Sequence, residues 1–168
     1  HSYTSGGRRE SVAEHSWRLT LMAYFVSDEF PDIDHEKLLK MCLIHDLGEA
    51  FTGDIPSFDK SAADEEKESR LLSDWAASLP EPFATEMTAL YAEMDALEST
   101  EAKIYKALDN MEALIQHNEA DLSTWIPLEY ELQMTYGTDK AAFSDYLTAL
   151  RDTVREDSKQ KIKNAEAK

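Results

Sequence analysis

An all-α bundle of about six or seven helices is the fold this sequence predicts. Three features lead to it. Glycine and proline are scarce, five of each in 168 residues, while strong helix formers (Ala, Leu, Glu, Lys) abound. Apolar residues recur three and four apart over long stretches, as in Ile104, Leu108, Met111, Leu114 and Ile115. No segment shows the strict alternation expected of a strand.

Each element has a local reason. Ser11 and Glu14 fit a capping box ahead of Leu19, Met22 and Val26, which predicts a first helix over about 11 to 29. Pro31 and Asp34 punctuate, and a second helix is expected over about 35 to 52, stopped by Gly53 and Pro56. Its run LLKMCLIHDL is apolar nearly all round, so it reads as the central helix. A third helix starts acidic and solvated at Asp64 to Glu68 and ends apolar at Leu71, Leu72 and Trp75. Pro80 and Pro82 separate it from a fourth, Phe83 to Leu97, and Glu101 to Asn118 forms a fifth. Trp125 to Tyr136 and Lys140 to Arg155 supply two more around Gly137, with residues 156 to 168 expected to fray. With no linker or repeat, residues 1 to 168 read as one domain, and the missing initial Met suggests an N-terminal truncation.

Charge narrows the function. Thirty-four acidic residues against 17 basic ones leave a net charge of -17, which disfavours nucleic acid and anionic membranes as partners. A small anion needs a local cation or a metal to reverse that field. Cys42 is the only cysteine, which excludes an internal disulfide and a cysteine zinc cluster and fits a reducing cytoplasm. On a hydrophobic helix it reads as packing, not as a nucleophile. No stretch is apolar enough to span a bilayer.

The titratable residues are less simple. His15 shares a helix face with Leu19, Met22 and Val26, so it points inward, and taken alone it reads as a hydrogen-bonded core histidine. In LIHDLGEAFTGDIP, His45 and Asp46 sit in apolar sequence with Glu49 three and four positions on. Spacing supports two readings equally: a carboxylate–imidazole bond that satisfies the core, or a cation shared by both ligand types. Asp109 lies opposite the apolar stripe of its helix, and periodicity makes it a surface residue. His35 and His117 also read as surface residues.

ESVAEHSWR, LIHDLGEAFTGDIP and AKIYKALDNMEALIQ, in this order, resemble the three signature segments of HD-domain metal-dependent phosphohydrolases, in the branch similar to 5'-deoxynucleotidases. The resemblance covers roughly the first two-thirds of the chain. It implies an HD-domain helical bundle with His15, His45, Asp46 and Asp109 as metal ligands and Glu49 and Asp54 as catalytic carboxylates. Arg8 and Lys106 match basic residues beside the first and last signatures, and with Arg18 they are candidates to hold phosphate. Arg18 equally suits a pair with Glu14, and Asp54 equally suits a turn cap before Pro56. The family's N-terminal arginine and aromatic have no counterpart here.

The absence of histidine between Asp46 and Asp109 argues for a single divalent ion, with Mn, Co, Fe, Ni and Zn all compatible with the ligand set. The implied reaction removes the 5'-phosphate of a nucleoside monophosphate, with deoxynucleosides preferred, and the resemblance also implies a possible homodimer. Two alternatives stand beside it. One is a phosphohydrolase for another phosphorylated metabolite; the other is a non-catalytic helical sensor or scaffold that uses the metal structurally.

Overall fold

A computed structural model describes residues 2–53 and 60–167 of the chain. Among these residues the regular structure is all helix, apart from an isolated bridge between Tyr3 and Arg9. Seven helices of nine residues or more are joined by two single turns: α1 (Val12–Val26), α2 (His35–Ile44), α3 (Glu49–Thr52), α4 (Ala62–Ser78), α5 (Phe83–Ala96), α6 (Thr100–Glu119), α7 (Pro127–Thr135), α8 (Thr138–Ala141) and α9 (Asp145–Glu166).

The Ser11–Glu14 capping box is formed, and α1 ends at Val26 in a short 3-10 turn over Ser27–Glu29. α6, not α2, is the central helix. It packs against α1, α2, α5, α8 and α9, and Ala102, Ile104, Ala107, Leu108 and Met111 are wholly buried. At ~1.5–3 kcal/mol for each large apolar side chain removed from water, Ile104, Leu108 and Met111 are a large part of the packing energy, joined by Leu19, Leu38, Met41 and Leu147 from the helices around them. α2 buries Leu38, Met41 and Cys42 but leaves Leu43 exposed, so its apolar run is only half interior.

The expected helix over 35 to 52 is broken. α2 stops at Ile44, and residues 45 to 48 form tight turns before α3 begins. Leu47 N–H donates to Ile44 C=O at 3.1 Å, Glu49 to Asp46 at 3.0 Å and Phe51 to Gly48 at 3.0 Å, all three residues back. This tightening takes residues 45 to 48 off the regular ~100°-per-residue screw of an α-helix and so re-aims their side chains. The tail differs too: instead of fraying after 155, α9 continues to Glu166. Ser158 explains the continuation, because its buried hydroxyl is anchored against Gln133 and Asn118.

Candidate metal centre and adjoining cavity

Four side chains from three parts of the chain converge beside α6. α1 supplies His15, the turn after α2 supplies His45 and Asp46, and α6 supplies Asp109. The two Nε2 atoms face each other at 3.1 Å. Asp46 Oδ2 lies 3.1 Å from His45 Nε2 and 3.8 Å from His15 Nε2. Asp109 Oδ1 lies 3.1 Å from His15 Nε2 and 3.4 Å from His45 Nε2. Asp109 is therefore no surface residue: its side chain is only 15% exposed and turned to the two histidines.

Hydrogen bonds behind the rings set this arrangement. His45 Nδ1 is 3.0 Å from the Cys42 carbonyl, an acceptor only, so this nitrogen carries the hydrogen. His15 Nδ1 meets the carboxylate of Glu112, which is wholly buried and held by Arg18 Nε at 3.1 Å. Both rings thus turn their Nε2 lone pairs to one point, and two carboxylate oxygens join them there. Such a convergence repels itself unless a cation stands between.

The donor spacing suits one ion. Ligands ~2.1 Å from a common ion and at ~90–110° to one another stand ~3.0–3.4 Å apart, and four of the five separations above fall in that range. In the cation-free protein, protons take the role. Burial opposes charge on His15, but hydrogen bonds to Asp109 and Glu112 outweigh it and raise its pKa to about 11. His45 rises to about 9 against the same burial through Asp109 and Asp46. Burial likewise opposes ionisation of Asp109, yet Lys106 and the two imidazoles hold its pKa well below the usual carboxylate range. Behind His15, burial and then the charge of Glu112 push Glu10 up to about 7.

The other expected residues divide. Lys106 donates to Asp109 Oδ2 at 2.8 Å and so stands at the cluster's edge. Arg8 turns outward and grips Glu14, leaving it outside the cluster. Arg18 pairs with α6, through Glu112 and Glu119, and not with Glu14; it supports His15 from behind. Glu49 opens α3, four positions after His45 but beyond the helix break. Asp54 lies outside the described residues.

Beside His45 a cavity of about 350 Å³ opens between α4, α5 and α6, lined by His45, Lys60, Ser69, Thr88, Tyr91, Asp95 and Tyr105 among others. This is within the size range of small-molecule sites. Lys60 was not apparent as a site residue. Its Nζ lies 2.8 Å from Glu68 Oε2, and although burial works against its charge, Glu68, Glu49 and Asp46 together raise its pKa. Glu68 itself belongs to a run that reads as a wet helix face, yet its side chain is 17% exposed and accepts from Thr52 Oγ1 at 2.9 Å. It ties α4 to α3. Gly48 permits the approach, since a Cβ there would stand 2.8 Å from Glu68 Cγ. His117 is another half-buried exception, 3.6 Å from Glu129 and packed against the Trp125 ring.

A helical bundle that gathers two histidines and two aspartates from separate elements around one point belongs to the class of proteins built to hold a cation in a helical core. The family can be stated: residues 1–151 match the family model described as "HD domain", and the chain belongs to that family. Among curated proteins it is similar to the human 5'-deoxynucleotidase HDDC2, 30% identical over 119 residues, which cover 70% of this chain and 57% of that protein. The zebrafish (Danio rerio) protein of the same name is 33% identical over 112 residues, 66% of this chain and 55% of the relative. The chain thus spans a little over half the length of these relatives. A 1.37 Å crystal structure described as a "Predicted metal-dependent phosphohydrolase", from Magnetospirillum magnetotacticum MS-1, superposes with a TM-score of 0.79 at 27% identity, covering 95% of this chain and 83% of that one.

Proposed function

We propose that this protein is a metal-dependent phosphohydrolase that removes the 5'-phosphate of nucleoside monophosphates, with deoxynucleosides preferred. The observation that carries this reading is the separation of the Nε2 and carboxylate oxygen atoms of His15, His45, Asp46 and Asp109, 3.1 to 3.4 Å in four of five pairs, as one shared ion requires. The names of the relatives and of the structural neighbour point the same way. A single divalent ion of the Mn, Fe, Co, Ni or Zn series, held by these four residues, would activate water and polarise the phosphoryl group.

The chain's own residues supply the rest. Lys60, at the cavity wall and within electrostatic reach of Asp46 and Glu49, offers a cation to a phosphate that the net charge of -17 would otherwise repel. Lys106 neutralises the outer oxygen of Asp109 and keeps that carboxylate oriented. Glu49 takes or returns the proton of the hydrolytic step, with Asp54 as its partner carboxylate. The cavity beside His45 receives the nucleoside, and Tyr105 and Tyr91, whose hydroxyl donates to the Ile44 C=O at 2.8 Å, line it. The substrate is thus a small phosphate ester, and the buried free thiol of Cys42 suits the reducing cytoplasm. No helix among the described residues is long and apolar enough to cross a membrane.

The test couples metal analysis of the purified protein to phosphate release from a panel of ribo- and deoxyribonucleoside 5'-monophosphates. Activity is expected with Mn or Co and lost on chelation. Full activity in the chelated protein would overturn the reading.

A further inference from the structure

A second cavity, of about 210 Å³, lies where α6 meets α8 and the end of α5, and it shares no lining residue with the cavity beside His45. Lys103 and Lys106, three positions apart on α6, and Lys140 of α8 bring three of the chain's 17 basic side chains to it. Only one carboxylate lines it, Asp139, and Lys140 holds that at 3.1 Å. Lys103 forms no ion pair among the described residues. The groove around Lys37 and Lys40 shows the opposite balance, with Asp34, Glu36, Glu86 and Glu93 surrounding two lysines. Leu97 and Phe143 complete the cationic cavity. Leu97 caps α5 in the left-handed region, at φ 51°, where a glycine is usual, so the backbone there is held against its preference.

We propose that this cavity binds a phosphate-class dianion and that Lys106 couples it to the metal centre. Its size selects the group: 210 Å³ is below the ~300–1,000 Å³ of sites that enclose whole small molecules, so a phosphate enters and a complete nucleotide does not. The phosphate is either free or the end of a short ester whose organic part meets Phe143. Lys106 Nζ has three N–H donors. One goes to Asp109 Oδ2 at 2.8 Å, and the ammonium has no further hydrogen-bond partner among the described residues. An oxyanion that takes the others draws positive charge away from Asp109, which then holds a cation more strongly, and by linkage a bound cation strengthens the anion. The coupling, though not the anion site, rests on Asp109 being a metal ligand.

Isothermal titration of inorganic phosphate into the chelated protein at constant ionic strength is expected to show one site of ~1 mM. Lys103→Gln and Lys140→Gln should each weaken it ~10-fold, and because Lys103 is exposed and the Lys140 side chain is 41% exposed, neither change threatens the fold. Lys60→Gln should leave it unchanged. Phenyl phosphate that binds more tightly than phosphate, with the gain lost in Phe143→Ala, identifies an ester as the ligand; equal binding identifies free phosphate. Affinity for Mn, read by chelator competition, should rise ~5-fold in saturating phosphate for the wild-type chain and not for the Lys103→Gln, Lys140→Gln double variant, since phosphate bound at the metal itself is common to both. No binding to the chelated protein, or binding lost in Lys60→Gln and kept in Lys103→Gln, overturns the site. Equal shifts of metal affinity in the two proteins overturn the coupling. None of these readouts needs turnover, so failure of the proposed reaction leaves the test intact.

Discussion

Two polar clusters are buried along α6, and they are closed in opposite ways. At the C-terminal turn, Asn118 meets Val154 and Ser158 of α9, and most polar groups gathered there find protein partners, with buried Arg151 Nη1 the exception. Arg151 Nε donates to Tyr136 C=O at 2.8 Å and its Nη2 to Gln133 C=O at 2.9 Å. Ser158 Oγ lies 2.9 Å from Gln133 Oε1, and Asn118 Nδ2 donates to Val154 C=O at 3.1 Å. In the middle of α6, Asp109 and Glu112 serve a cluster whose lone pairs converge on each other. A buried network that pairs donors with acceptors specifies structure; one that collects acceptors around a point calls for a ligand.

The sharpest way to break this contrast is Asp109→Asn, which keeps the shape and removes the charge. Phosphate release should fall by ~10²–10³-fold and bound metal should drop in parallel, measured together on one preparation. An active, metal-replete variant would remove Asp109 from the centre. At the other cluster, Arg151→Met should lower the unfolding free energy by ~2–4 kcal/mol in chemical denaturation while metal affinity holds. Loss of metal there would mean that the two clusters are not separate.

Glu112→Gln is subtler. It should weaken metal binding by ~10–100-fold in a chelator competition, because His15 loses the carboxylate that fixes its ring. The smallest effect expected is pH-dependent. Burial opposes the charge of Glu101, but the Asp34 N–H and Lys37 outweigh it and lower its pKa. Its contribution to stability is present above the ordinary glutamate pKa and disappears as pH falls through the lowered value. Glu101→Gln should therefore destabilise by ~1 kcal/mol at neutral pH and by less in acid, read from melting temperature against pH. A gap that widens in acid would reverse the sign assigned here.

The helices were legible because each carries its own signal: the Ser11–Glu14 cap, the apolar period of α6, the prolines at 80 and 82. The break after Ile44 was not, because no glycine or proline stands before Gly48 and the run stays apolar through it. His45 and Asp46 announced themselves by being charged in apolar sequence. Asp109 needed the family pattern, since periodicity put it on the wrong side. Lys60, Glu68 and Glu112 gave no signal, for each is a polar residue at an ordinary spacing. Glu112 meets its histidine across 97 positions of chain, a pairing that only tertiary structure creates.

Gly48 sets a dimension that no ligand atom controls. The α4 wall of the cavity stands where it does because Glu68 fills the space a side chain at 48 would occupy, and the backbone of residue 48 is helical, open to any residue. A single added methyl would displace Glu68, and with it the Lys60 ammonium at the cavity wall. Position 48 thus sets the width of the cavity beside His45, since any side chain there shifts the Glu68–Lys60 pair that lines it.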